Sequence, residues 1–348
     1  MTTISRRKFM AATGLTAMGA TLGACSSDDK KSGGSSNGKV DKVTYLTVLG
    51  NLGRDAYIHA AVSKGFFKDV GIEVNVQFGQ AGDFNHNQLL GGQAQFASVD
   101  IAGAIIRAGK QAKPEDRNLR IIGVVHQLTL NSVAVFDDKQ NIKSPRDLQG
   151  KKVGAITGAA PRALFPAYAK LAGIDEKSIV WTDATPQNNV ALLATNQVEA
   201  LATQLVTKPS LEKAGKGRKI VMFPYSDFIS DLYGVTIMTH KDVIAKNPDL
   251  VKRFNQAIMR GVKYSVNNPE ETAKFLKAND NTVDEAQAAG ELAILKPNCL
   301  PAGGAPVGTF DDAKMARNIA LLQGLNLIPG GLTPKDIADT SFLPSSVE

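Results

Sequence analysis

Short apolar runs of strand length alternate with amphipathic helical stretches, the alternation stops midway along the chain, and it then starts again. Residues 43–49 have the pattern of a buried strand, Asn51-Leu52-Gly53-Arg54-Asp55 forms a polar turn, and Ile58, Ala61 and Val62 recur at helical spacing before Gly65. Ile72, Val74, Val76 and Phe78 then alternate with Glu73, Asn75 and Gln77, which predicts a strand with one buried face. Further strands are expected over 94–99, 119–125 and 133–136. Beyond Asp138, Ser144-Pro145-Arg146-Asp147 supplies an N-cap, a proline at N1 and an acid at N3, and the pattern restarts. Strands are expected at 153–156, 178–182, 200–203 and 219–223, with helices at 161–172 and 190–196. The apolar run 235–238 returns the chain to the first set of strands. Helices dominate what remains: 248–266, capped by Asn247, and two more that start at the capping-box sequences Thr282-Val283-Asp284-Glu285 and Thr309-Phe310-Asp311-Asp312.

This alternation predicts an α/β fold whose sheets are mainly parallel and flanked by helices. The chain has 348 residues, long for one core and comfortable for two. The restart divides it into a first lobe of residues 39–137 plus 236–348 and a second of 138–235. Two crossovers, near Phe136 and Val235, would form a hinge that permits closure about one axis.

The N-terminus reads as an address. Ser5-Arg6-Arg7-Lys8-Phe9-Met10 precedes a mildly apolar stretch, 11–24, that is interrupted by Gly14, Gly19 and Gly23 and is too short to span a bilayer. Residues 1–24 are therefore expected to be a signal peptide. The paired arginines resemble a twin-arginine export signal, and Leu22-Gly23-Ala24-Cys25 resembles a lipobox in which Cys25 is acylated. Residues 25–38 would be the lipidated cysteine and a disordered Ser/Gly tether reaching roughly 20 Å, holding the body at the outer face of the cytoplasmic membrane or in the periplasm.

Charge and cysteine content exclude other classes. The formal charge is +7, and removing Arg6, Arg7 and Lys8 with the signal leaves +4, dispersed and without a basic run or basic-aromatic interleaving, which argues against nucleic acid as a partner. The chain has 2 cysteines. With Cys25 lipidated, Cys299 has no disulfide partner and is expected to pack within a loop over 296–301. His59, His86, His126 and His240 are scattered without metal-ligand spacing, and no His-Glu-x-x-His, Cys-x-x-Cys, Gly-x-Ser-x-Gly or phosphate-loop lysine occurs. Asp83 and His86 form a helix-start pair. No catalytic residue, metal or cofactor is expected.

Three ordered blocks carry a family resemblance. Ser63-Lys64-Gly65-Phe66-Phe67-Lys68-Asp69-Val70-Gly71-Ile72-Glu73-Val74, Leu89-Leu90-Gly91-Gly92-Gln93-Ala94-Gln95-Phe96-Ala97 and Leu148-Gln149-Gly150-Lys151-Lys152-Val153-Gly154 resemble the NMT1/THI5-like, sulfonate and nitrate type of substrate-binding protein. The segments Gly324-Leu325 and Asp339-Thr340-Ser341-Phe342-Leu343 are similar to that family's close. The resemblance implies a two-lobe, type II periplasmic-binding-protein fold and a monomer working with an ABC permease and its cytoplasmic ATPase. It also implies a ligand in the interlobe cleft: a small anionic or zwitterionic solute such as a sulfonate, taurine, a nitrate-like ion or a thiamine-pathway pyrimidine. A pyrimidine-synthesis enzyme and a sensory binding subunit share the fold and stand as alternatives.

In open α/β sheets a ligand sits beyond the carboxyl ends of the strands, where helix N-termini present free N–H groups. The corresponding turns of this chain supply the candidate ligand contacts. From the first lobe these are Asn51, Arg54, Asp55, Ser98, Asp100 and His126. From the second they are Thr157, Gly158, Ala159, Arg162, Gln187, Asn188 and Gln204, with Tyr233 at the return crossover. Thr157-Gly158-Ala159-Ala160 is the expected anion-binding turn, with Arg54 and Arg162 as clamps for a carboxylate or sulfonate. Asp55, Asp100 and Asp231 could instead meet an amine. Tyr57, Tyr225, Phe228 and Tyr233 are the candidate ring platforms, and Trp181 is expected in the core.

Overall fold

The computed structural model describes residues 40–345, except 81, 139 and 140. The twin arginines, the stretch 11–24, Cys25 and the tether lie outside the described residues.

Among the described residues, ten strands form two five-stranded sheets. They are β1 (Asp41–Leu46), β2 (Ile72–Gln77), β3 (Phe96–Asp100), β4 (Leu119–Val124), β5 (Asn131–Phe136), β6 (Lys152–Ile156), β7 (Val180–Ala184), β8 (Ala200–Gln204), β9 (Ile220–Pro224) and β10 (Val235–His240). The first sheet has the order β2-β1-β3-β10-β4, the second β7-β6-β8-β5-β9. Each contains four strands running the same way and one antiparallel strand in the fourth position. That strand is always the one delivered from the other lobe: β10 into the first sheet and β5 into the second. This is the two-lobe, type II periplasmic-binding-protein architecture with two crossover strands.

The first crossover comes earlier than the sequence pattern predicts. β5 pairs with β8 and β9, as in Val133↔Ala202 and Val133↔Phe223, so residues 131–136 belong to the second lobe and the chain crosses over 125–130. All six residues of β5 are buried, so the run identifies a strand without saying which sheet holds it. The return crossover, 225–234, runs alongside the first. Val125 and His126 both donate N–H to Val235 O at 2.8 and 3.1 Å, Gly234 N–H reaches His126 O at 2.9 Å, and Thr129 N–H reaches Leu232 O at 2.8 Å. A side chain at Gly234 would meet His126 Cβ at 2.8 Å, so glycine is what allows the two segments to lie this close.

Three helical details also differ from expectation. The helix expected over 161–172 is two pieces, Ala160–Ala163 and Phe165–Ala172, because Pro166 has no N–H to bond the preceding turn. The last two long helices are capped by Asp284 and Asp311, whose carboxylates accept from Gln287 N–H and Lys314 N–H, while Thr282 and Thr309 lie outside them. Cys299 ends the helix Glu285–Cys299 instead of occupying a loop; it is fully buried, and burial pushes its thiol pKa up.

The first sheet is covered by the helix Pro248–Asn267, which starts at the Asn247 cap and buries Leu250, Val251, Phe254, Ile258 and Val262. Phe254 stacks on Phe96 of β3 with ring centroids 3.7 Å apart and also meets Phe67. Asn255, buried beside it, donates to Ile122 O at 2.8 Å and Phe342 O at 2.9 Å, tying the C-terminal segment to β4.

Candidate functional site

The segments that follow the parallel strands of both sheets enclose a cavity of about 860 Å³. The first lobe contributes 48–50 after β1, 78–80 after β2, 98–100 at the end of β3, and Glu291 of the helix Glu285–Cys299. The second contributes 156–161 after β6, 184–187 after β7, and 202–204 with 206 and 207 around the end of β8. The volume suits a small organic molecule.

Buried polar groups set the loops that form the first-lobe wall. Asn85 Nδ2 donates to Thr47 O at 2.8 Å and Ser98 O at 2.9 Å, and Asn85 Oδ1 accepts from Gln80 N–H at 3.3 Å. One side chain thereby holds the loops after β1 and β2 to the end of β3. Gly79 is required at this junction, since a Cβ there would lie 2.0 Å from Thr47 O. Beneath the wall, Ser98 Oγ is 2.6 Å from Tyr45 Oη and 2.7 Å from Tyr57 Oη, a closed hydroxyl cluster.

Arg54, Ser98, Asp100, Thr157, Gly158, Ala159, Gln187 and Gln204 line the cavity. Asn51, Asp55, His126, Arg162, Asn188 and Tyr233 do not, and each has another occupation. Asn51 bonds Asp280 and His59. Asp55 Oδ1 accepts from Val48 N–H at 3.0 Å and its other oxygen lies 3.5 Å from Arg54 Nε. His126 is buried within the paired crossovers, its Nδ1 accepting from Val235 N–H. Arg162 lies over the Trp181 ring, its guanidinium carbon 3.3 Å from the centroid. Asn188 Oδ1 accepts from Thr185 N–H at 2.8 Å, and Tyr233 Oη accepts from Asp311 N–H at 3.3 Å.

The candidate ring platforms are likewise taken. Tyr57 joins the Ser98 cluster, and Tyr225 donates to Pro161 O and stacks on Tyr168, which Phe228 meets edge-on. Asp231 pairs with Arg317 and Lys314. Trp181 is half-buried and packs edge-on against Phe165 at 4.8 Å.

The electrostatics of the wall differ from the expected anion site. Among the described residues its one arginine is Arg54, which is buried, gives Nη1–H to Gln204 Oε1 at 2.6 Å across the lobes, and sits beside Asp55. Two carboxylates share the wall with it. Asp100 Oδ1 caps the helix Ile101–Gly109 by accepting from Ala102 N–H at 2.9 Å, and burial pushes its pKa up to about 7. Glu291 Oε2 accepts from the Arg54 backbone N–H at 3.2 Å, and burial raises its pKa as well, with nearby Arg54 opposing. Asp55 is raised by burial against the pull of Arg54. The helix Ala160–Ala163, after the expected anion turn, has a single turn and so few aligned dipoles to offer an anion. Gly158 adopts φ 78°, in the left-handed region that only glycine enters freely.

Glu291, Asn85 and the wall position of Phe78 escape a motif search. Glu291 could have been suspected because it falls on the buried stripe of Ala288, Leu292 and Leu295, where an acid needs a reason. Among the described residues no three His, Cys, Asp or Glu side chains form a metal site, and no helix is long and apolar enough to cross a membrane.

Two lobes, paired crossovers and a cavity at the strands' carboxyl ends define the class of two-lobe solute-binding folds. The NMT1/THI5-like family model matches residues 55–272, and the chain belongs to that family. A Brucella abortus protein named as a binding protein is 23% identical over 241 residues, covering 66% of this chain and 70% of its own. The alkanesulfonate-binding protein of Xanthomonas axonopodis, solved with MOPS, superposes with a TM-score of 0.69 at 14% identity over 87% of this chain and 99% of that one. The ligand-binding component of an ABC-type import system from Staphylococcus aureus gives 0.65 at 13% identity over 88% and 98%.

Proposed function

We propose that this protein is the extracytoplasmic solute-binding subunit of an ABC importer. The observation that carries the proposal is the cavity walled by both lobes and backed by two hydrogen-bonded crossovers, a geometry in which a solute is enclosed by rotation about the hinge. A solute touching both walls binds the closed form better than the open one, and only that difference can shift the population. The closed form docks on the permease, and opening driven by the ATPase releases the solute. Family membership and relatives named as binding proteins support a binder over an enzyme. The lipobox-like Leu22-Gly23-Ala24-Cys25 supports a membrane anchor, and Cys25→Ser should release the protein from membranes; retention of the variant there would contradict the anchor.

The solute is a small polar organic molecule. Of the anionic and zwitterionic classes implied by the family resemblance, the zwitterionic fits the wall better, because Arg162 lies over Trp181 and Arg54 is matched by carboxylates. Calorimetric titration of the purified chain with sulfonates, taurine, nitrate, carboxylates, amines and pyrimidines tests this function. Saturable binding of one chemical class is expected, and heats no greater than dilution throughout the panel would contradict it.

A further inference from the structure

The geometry points to Asp100 and Glu291 as the specificity-determining residues of the cavity, selecting a solute that presents a protonated amine to them. The inference rests on the solute-binding reading and concerns which chemical group that site admits. Asp100 and Glu291 reach the cavity from opposite ends of the chain, one from the carboxyl end of β3 and the other from the helix Glu285–Cys299. The cation they share the wall with is committed elsewhere, its Nη1–H on Gln204 and its Nε facing Asp55 at 3.5 Å. With Asp55 directly behind, three carboxyl groups stand against one guanidinium, so the cavity carries an acidic surplus. A sulfonate or nitrate entering it would find no uncommitted guanidinium to receive it, whereas an ammonium would gain charge-assisted hydrogen bonds from the carboxyl oxygens.

A second feature independently marks a place for a solute. Phe78, just beyond β2, lines the same cavity and remains 50% exposed, the one Phe, Tyr or Trp ring on the wall among the described residues. A half-exposed ring facing a cavity is a surface awaiting a partner, and its π face attracts a cation or covers an apolar body. Burial holds the pKa of both Asp100 and Glu291 above the usual range, and an ammonium beside them would draw both back down.

The test uses matched pairs that differ only in replacing an ammonium with a hydroxyl: taurine with isethionate, β-alanine with 3-hydroxypropionate, and 1,3-diaminopropane with 3-aminopropanol. Calorimetry on the purified chain should show at least one amine bound about tenfold or more tighter than its hydroxyl partner. Asp100→Asn and Glu291→Gln, which preserve shape, should each reduce that preference severalfold. Equal or tighter binding of the hydroxyl member, or binding of isethionate or nitrate alone, would overturn the amine specificity while leaving a solute binder. Binding of no member of any pair would overturn this inference, while the solute-binding reading falls only if the wider panel also gives no heat above dilution. The wild-type comparison stands even if a variant misfolds, and circular dichroism identifies such a variant.

Discussion

Asp100 caps a helix, a position that ordinarily stabilises a carboxylate, yet burial lifts its pKa from 3.8 to about 7. Between those values the folded protein holds a proton that the unfolded chain has lost, so this group's contribution to stability falls as pH rises, by up to about 1.4 kcal/mol per unit. Two buried histidines act in the opposite sense. Burial lowers His59 to about 4, and burial with the nearby Arg54 charge lowers His126 to about 3. Each stays neutral in the folded protein, so its contribution is complete above the ordinary value of 6.5 and is lost as pH falls toward the depressed value. From 6.5 down to about 4 the histidines outweigh the aspartate, and Asp100→Asn should make the acid loss of stability steeper. Urea unfolding of both proteins at several pH values checks this, and parallel profiles would contradict it. Arg54 shows why a motif alone misleads at this scale. Its place in a strand-to-helix turn is plain in the sequence, but the groups that engage it, Asp55, Gln204 and Glu291, come from three separate segments, and only folding brings the latter two to it.

The loops behind the site are held by single side chains, and their loss should be felt at a distance. Asn85→Ala would leave Thr47 O, Ser98 O and Gln80 N–H without their buried partner. At about 1–3 kcal/mol for each uncompensated group, less whatever entering water restores, the variant should be destabilised by at least about 2 kcal/mol and bind solute more weakly. Urea unfolding gives the first quantity and titration the second; unchanged values for both would remove Asn85 as the organiser of the wall. The strands themselves were legible from apolar runs and period-two alternation, as in 72–77, because burial on one or both faces writes itself directly into sequence. The lobe assignment of β5 was not. A strand buried on every residue carries no mark of its neighbours, and its antiparallel partners β8 and β9 are set by topology. The break at Leu164 was readable in principle from Pro166, but Pro161 earlier in the same run suits a helix start and masks the second signal.

At the scale of the whole molecule, the two lobes meet through bonds of unequal worth. Arg54 Nη1–H to Gln204 Oε1, at 2.6 Å and buried, is a charge-assisted bond worth about 1.5–3 kcal/mol. Lys213 to Asp284, equally short, is exposed and screened by solvent, so it contributes far less. Gln204→Ala should therefore favour the open form and increase the solute-free radius of gyration measured by small-angle scattering, while Lys213→Ala should leave it unchanged. The reverse pattern would contradict this ranking. The fold was foreseeable from the restart of strand-helix alternation, since a crossover strand must return wherever a lobe is interrupted. The acidic balance of the cavity was not, because it depends on Glu291, which lies 191 positions beyond Asp100 in the chain and lines the same cavity only once the chain is folded.

The most direct test of the account is a crystal structure of the protein with the solute that binds most tightly in the titration panel. Density between the lobes, touching Asp100 and Glu291 on one side and the turn 157–160 on the other, is the predicted result. A solute bound on one lobe's outer surface, or a cavity that stays closed to it, would contradict the central claim.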